Sequence, residues 1–182
     1  MTRLALDEQE TLDALKRTVQ DGWAAFLSRA PGESVYALSF CYMIEHGYAS
    51  VAIFTEEEFT RRRSVATMID RFWPPDAAYM DLASTGTPPL LTPADWDPIC
   101  EADGDPYFRD WAPYVEYATT VRALLIRSLR EVDELGLFGD RRNEMIVKID
   151  DLQGEDTVDD MIAAIRQLNP AEIANAHLGP SE

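Results

Sequence analysis

Two cysteines, Cys41 and Cys100, and two histidines, His46 and His177, are all that the 182 residues contain of either type. So few thiols, far apart and with no second ligand at short spacing, exclude a disulfide framework and a zinc site as organising devices. Cys41, inside an apolar run, reads as a small core residue. Long apolar runs are missing as well. No window approaches the ~18 residues of a membrane span, and Met1 to Glu10 has no apolar stretch behind a basic one, so a cytoplasmic location is expected. Basic residues are scarce, 16 against 33 acidic ones, for a formal net charge of −17. That balance disfavours nucleic acid and anionic membranes as partners, and it attracts cationic proteins by long-range steering.

What is present is enough to fold. Hydrophobic residues make up 46% and aromatic ones 10% of the chain, well above the composition of a disordered polypeptide. At this length a single domain over residues 1–182 is expected, with a flexible tail at 171–182. From Asp7 to Arg29, Leu12, Leu15, Val19, Trp23, Phe26 and Leu27 recur at helical spacing, and Pro31-Gly32 follows as a stop. Ser34 to Tyr42 alternates with period two, Tyr36, Leu38, Phe40 and Tyr42 sharing one face, and Tyr48 to Phe54 repeats the pattern after a turn at Glu45-His46-Gly47. Thr55 and Glu58 form a capping box for a helix from Glu56 to about Phe72. Its Arg61, Arg62 and Arg63 read as a solvated face.

Residues 73 to 107 are rich in proline, and Trp73, Tyr79, Trp96 and Tyr107 give the stretch enough large rings to be an ordered excursion. A long helix is expected from about Phe108 to Leu135, with Trp111, Tyr114, Val115, Ala118, Val121, Leu125, Leu129, Val132 and Leu135 inward and Gly136 as a left-handed cap. A strand at 144–150 and a helix from Thr157 to Leu168 complete the pattern. The fold class is therefore α+β: a small antiparallel sheet of three or four strands, the hairpin 34–54 plus strand 144–150, packed with long helices.

Catalytic motifs are absent. Neither histidine lies in a recognisable catalytic setting, and there is no nucleophile elbow, HExxH, phosphate-binding glycine loop or dinucleotide fingerprint. Placing Gly104 or Gly154 at the sixth position of a calcium loop puts Ile99 or Ile149 at the first ligand position, where isoleucine cannot coordinate. No catalytic residue, metal or cofactor is expected. The acid is concentrated instead. Residues 95–110 carry Asp95, Asp97, Glu101, Asp103, Asp105 and Asp110 against Arg109 alone, with Trp96 and Tyr107 interleaved. Residues 150–160 carry Asp150, Asp151, Glu155, Asp156, Asp159 and Asp160 with no base. Aromatic anchors ringed by charge are the pattern of a protein interface, and Asp95, Trp96, Asp97, Glu101, Asp103, Asp105, Tyr107, Asp110, Asp150, Asp151, Glu155 and Asp156 are the expected partner-binding residues.

The order of landmarks adds a resemblance. Val35-Tyr36-Ala37-Leu38, Ala49-Ser50-Val51-Ala52, Thr55-Glu56-Glu57, Phe72-Trp73-Pro74-Pro75-Asp76, Leu137-Phe138-Gly139, Asp150-Asp151 and Leu168-Asn169-Pro170 together resemble the bacterial domain-of-unknown-function family 4303, from about residue 10 to 170. Tyr79 departs from that pattern, where a tryptophan is expected. The resemblance implies a small acidic bacterial protein of the immunity type found beside secreted toxins, and it supplies no catalytic residues.

Two functions follow as expectations. One is a non-catalytic, immunity-type inhibitor that neutralises a cationic, nucleic-acid-directed toxin domain through the acidic aromatic surface. The other is a small-ligand or metal-binding enzyme that uses the 73–107 segment as a pocket wall.

Overall fold

The computed structural model describes residues 6–62, 79–80, 90–92, 95–96 and 112–179. The first helix, α1 (Glu8–Arg29), starts where Asp7 accepts hydrogen bonds from the backbone of Gln9 and Glu10, with Glu8 and Glu10 favourably placed in the first turn. Leu12, Leu15, Val19, Trp23 and Phe26 are buried as their spacing predicts, and Leu27 lies at the margin, 37% exposed. Gly22 lets α1 lie close to the sheet, because a Cβ there would stand 3.2 Å from Val51 Cβ.

Strands β1 (Val35–Met43) and β2 (Tyr48–Thr55) form the expected antiparallel hairpin around a 3-10 turn that holds His46. Helix α2 (Glu56–Arg62) follows, with the Glu58 amide donating to Thr55 Oγ1; the rest of the predicted helix to Phe72 lies outside the described residues. Strand β3 (Tyr79–Met80) pairs with β2, and β4 (Ile146–Asp151) lies on the other side of β1, giving the order β3-β2-β1-β4.

The α+β class is as the sequence indicates, but the sheet is mixed rather than wholly antiparallel. Strand β4 runs parallel to β1, with Ala37 beside Ile146 and Tyr42 beside Asp151. A parallel neighbour requires a long return crossover, and the helix α3 (Ala112–Glu134) lies in the connection that leads back to β4.

Alternation decides what each face of the sheet meets. Leu38, Phe40, Tyr42, Val51, Ile53, Val147 and Ile149 join the large core with α1 and α3. The opposite face carries the small residues Ala37, Ser39, Cys41, Ser50 and Ala52, all buried. Helices α4 (Val158–Leu168) and α5 (Ala171–Leu178) bring Ile165 and Ala174 to that side. Residues 171–178 therefore form a packed helix where the sequence reading placed a flexible tail, because Ala174 finds an apolar face to cover.

Several signals in the second half are met closely. Gly136, at φ 77°, closes α3: its amide donates to Asp133 O and that of Leu137 to Val132 O, a Schellman arrangement. Thr157 and Asp160 form a reciprocal capping box for α4. The outer edge of β4 is protected by Asn169, whose amide both accepts from the Val147 N–H at 2.8 Å and donates to the Val147 carbonyl at 2.6 Å. That side chain substitutes for a neighbouring strand and blocks edge pairing. Val115 on α3, and Leu135 just past its end, depart from the expected inward face, at 47% and 76% exposed; Tyr117, Leu124 and Ile126 are buried instead.

Candidate functional site

The carboxyl ends of the two parallel strands, β1 and β4, open beside α3. In open sheets this is where crevices form, because the chain leaves the strand ends in diverging directions. Here the crevice is a cleft of about 680 Å³ whose lining includes Tyr42, Ile44, Tyr114, Val115, Ala118, Arg122, Ile126, Asp151, Glu155, Asp156 and Asp160. Helices α3 and α4 flank it and run in the same direction. Arg122 meets Asp160 near one end, and Arg142 joins Asp133 to the Leu168 carbonyl at the other.

The loop between β4 and α4 is organised by Asp151. One oxygen accepts from the Gln153 amide at 2.9 Å, and the other from the amides of Glu155 and Asp156 at 2.5 and 3.0 Å. The loop is thus folded around its own carboxylate. Its next two acids are tied to the walls of the cleft. Tyr114 Oη donates to Glu155 Oε2 at 2.9 Å, while Asp156 Oδ2 accepts from Tyr42 Oη at 2.6 Å and from Arg122 Nε at 3.1 Å. Gln153 reaches back to the turn after β1, donating to Glu45 and accepting from its amide.

The electrostatics follow from this packing. Burial first, and then the adjacent Asp156 carboxylate, push the Tyr42 hydroxyl far above its ordinary value, so it remains a donor. Burial works against the Arg122 cation, but Asp156 outweighs it and the guanidinium stays charged. Arg122 Nη2 is buried and meets no acceptor among the described residues, so the other two nitrogens fix the group. The Thr157 hydroxyl and amide hold the Asp160 carboxyl below the usual range.

These contacts correct the sequence reading of residues 150–156 as an outward-facing acidic patch. Asp150 accepts from the Ser39 hydroxyl at 2.5 Å and pairs with Lys148, itself buried in the sheet face. Asp151, Glu155 and Asp156 are committed to backbone amides, Tyr114, Tyr42 and Arg122. An acidic stretch met by aromatic hydroxyls and one guanidinium from distant elements folds inward, because half-buried carboxylates are stabilised by charge-assisted hydrogen bonds.

The other expected stretch divides differently. Trp96 is 2% exposed, its ring edge-on to Tyr114 and Tyr117 at centroid distances of 5.4 and 5.2 Å. It is a core residue, not an interface anchor. Asp95 is exposed, but its carboxylate accepts from the Thr92 amide and hydroxyl at 2.8 and 2.7 Å. The segment is held to α3 by the Leu91 N–H, which donates to Tyr117 Oη at 2.8 Å. Asp97, Glu101, Asp103, Asp105, Tyr107 and Asp110 lie outside the described residues, as does most of the 73–107 segment.

The structure therefore brings together Asp151, Glu155 and Asp156 and leaves Asp150 on the opposite face of the sheet. Sequence reasoning missed Tyr42, Tyr114 and Arg122 as their partners. It also missed Val115 and Ala118 as cleft lining, since both were assigned to the core. Among the described residues no group of three or more His, Cys, Asp or Glu is placed to hold a metal ion. No helix among them is long and apolar enough to cross a membrane. No family model, curated protein or solved structure matches the chain.

Proposed function

We propose that this chain is a protein-binding module of the immunity type, which acts in the cytoplasm by capturing and neutralising a basic, toxin-like partner. The observation that carries the reading is the surplus of negative charge. The described residues alone hold 24 acidic against 12 basic positions. Such a potential accelerates encounter with a cationic protein and penalises nucleic acid and like-charged partners. The carboxylates fixed around the cleft support the same reading in a second way. Held by tyrosines and backbone amides, they lose little conformational freedom on binding, so less of the interaction energy is spent on ordering them.

Co-expression with the products of neighbouring genes tests the proposal. A stable complex should survive gel filtration, and its association rate should fall steeply as ionic strength rises while dissociation changes little. If no neighbouring product binds or is neutralised, or if association ignores salt, the reading fails.

A further inference from the structure

The geometry points to the cleft between α3 and α4 as the place where such a partner inserts a single lysine or arginine side chain. This inference rests on the binding reading above and adds where and how the partner docks. Three properties of the cleft carry it.

Charge is segregated along its length. Arg127 and Arg130, toward one end, have acid partners of their own on α3 in Glu131 and Glu134. At the other end Asp151, Glu155, Asp156 and Asp160 face Arg122 as the one cation among the described lining residues there, a surplus of three negative charges. Hydrogen bonds from Tyr42, Tyr114, Thr157 and backbone amides orient these carboxylates. The concave, partly desolvated setting strengthens their attraction for a cation relative to the open surface.

The wall next to those acids is apolar. Val115 is 47% exposed and stands one turn from Ala118 on α3, with Ile126 further along. A long aliphatic stem ending in a charge matches this pairing, since lysine and arginine bury their methylenes on apolar surface while the head reaches a carboxylate. Asp160, with its side chain 47% exposed at the mouth, is the acid most open to such a head. A neutral or acidic side chain would leave the surplus uncompensated.

The probe is acetyl-Ala-Arg-Ala amide, with the citrulline analogue as the neutral control, followed by amide chemical shifts. Saturable changes confined to residues 115–123 and 153–160, with the citrulline peptide inert, are expected. Thr119→Lys places a competing ammonium at the mouth from an exposed helical position, and it should weaken the arginine peptide about tenfold. Ala118→Phe, which fills the cleft, should do the same, with melting curves checking that both variants fold. Shifts spread over exposed acids elsewhere, such as Glu8, Glu10, Glu56 and Glu172, or unchanged affinity in a folded Thr119→Lys, would overturn the inference. A captured natural partner that binds Thr119→Lys as well as wild type would also remove this docking mode while leaving the broader function standing. Failure to find any partner removes the function but not a positive peptide titration.

Discussion

Tyr42 Oη and Asp156 Oδ2 meet at 2.6 Å across 114 positions of sequence, joining the end of β1 to the loop that enters α4. Arg122 completes the junction from α3, so three elements share one carboxylate oxygen. Removing the hydroxyl and removing the carboxylate should therefore differ. Tyr42→Phe deletes one hydrogen bond to a charged acceptor and should cost about 1.5–2 kcal/mol. Asp156→Ala removes the acceptor of both Tyr42 Oη and Arg122 Nε and leaves the guanidinium, only 23% exposed, with the longer Asp160 contact at 3.7 Å, and should cost about 3 kcal/mol. Urea midpoints at constant slope provide the comparison. Equal losses in the two variants would mean that Arg122 finds another partner.

Lys148 and Asp150 offer a contrasting pair, buried at 8% and 16% side-chain exposure on the small-residue face of the sheet. Lys148→Met removes the cation beside Asp150 and leaves the Ser39 hydroxyl as the side-chain donor to it among the described residues, and about 3 kcal/mol of stability should be lost. Replacing both, as Lys148→Met with Asp150→Leu, should recover most of that loss, because no unpaired charge is left to desolvate. A double variant no more stable than the single one would show that the pair holds the strand register rather than merely balancing charge.

Local rules made much of this architecture legible, and long-range pairing hid the rest. Period two in β1 and β2, the Asp7 cap, the Gly136 terminus and the Thr157–Asp160 box each act within a few residues, so the sequence displays them directly. The parallel partnership of β1 with β4 depends on how the chain returns, which no local pattern encodes. For the same reason the carboxylates of the β4–α4 loop looked solvent-facing. Their partners Tyr42, Tyr114 and Arg122 come from two other elements. One local clue was present: Asp151 followed by Gln153-Gly154 is an Asx-turn arrangement, which commits the aspartate to its own backbone. Trp96 misled in the opposite way, since its acidic neighbours suggested a rim while Tyr114 and Tyr117 enclose the ring.

Trp96 should accordingly affect folding. Trp96→Ala removes a ring packed edge-on against two tyrosines and should cost about 3–5 kcal/mol, more than any exposed-site substitution. Tyr117, whose hydroxyl is pushed up to about 12 chiefly by burial, offers the finer test. Tyr117→Phe leaves the Leu91 N–H without its acceptor and should speed hydrogen exchange at Leu91 while leaving amides in the middle of β1 unchanged. Unaltered exchange at Leu91 would show that the segment is held by Trp96 alone.

Asp160 links the cleft to acid stability. Its carboxyl lies below the ordinary value of 3.8, first through the Thr157 hydroxyl and then the Thr157 amide. A carboxyl with a lowered folded-state value binds its proton more readily in the unfolded chain, so the stability it contributes is complete above about 3.8 and is lost as pH falls through the lowered value. Asp160→Asn should therefore melt below wild type at pH 7, and the gap should narrow steadily between pH 4 and pH 2. Thr157→Ala removes the hydroxyl donor to Asp160 and also the acceptor of the Asp160 amide, so its gap from wild type should narrow over the same range but part of it should persist at pH 2. A gap that stays constant down to pH 2 would mean that Asp160 stabilises α4 by packing and not through its ionised carboxylate.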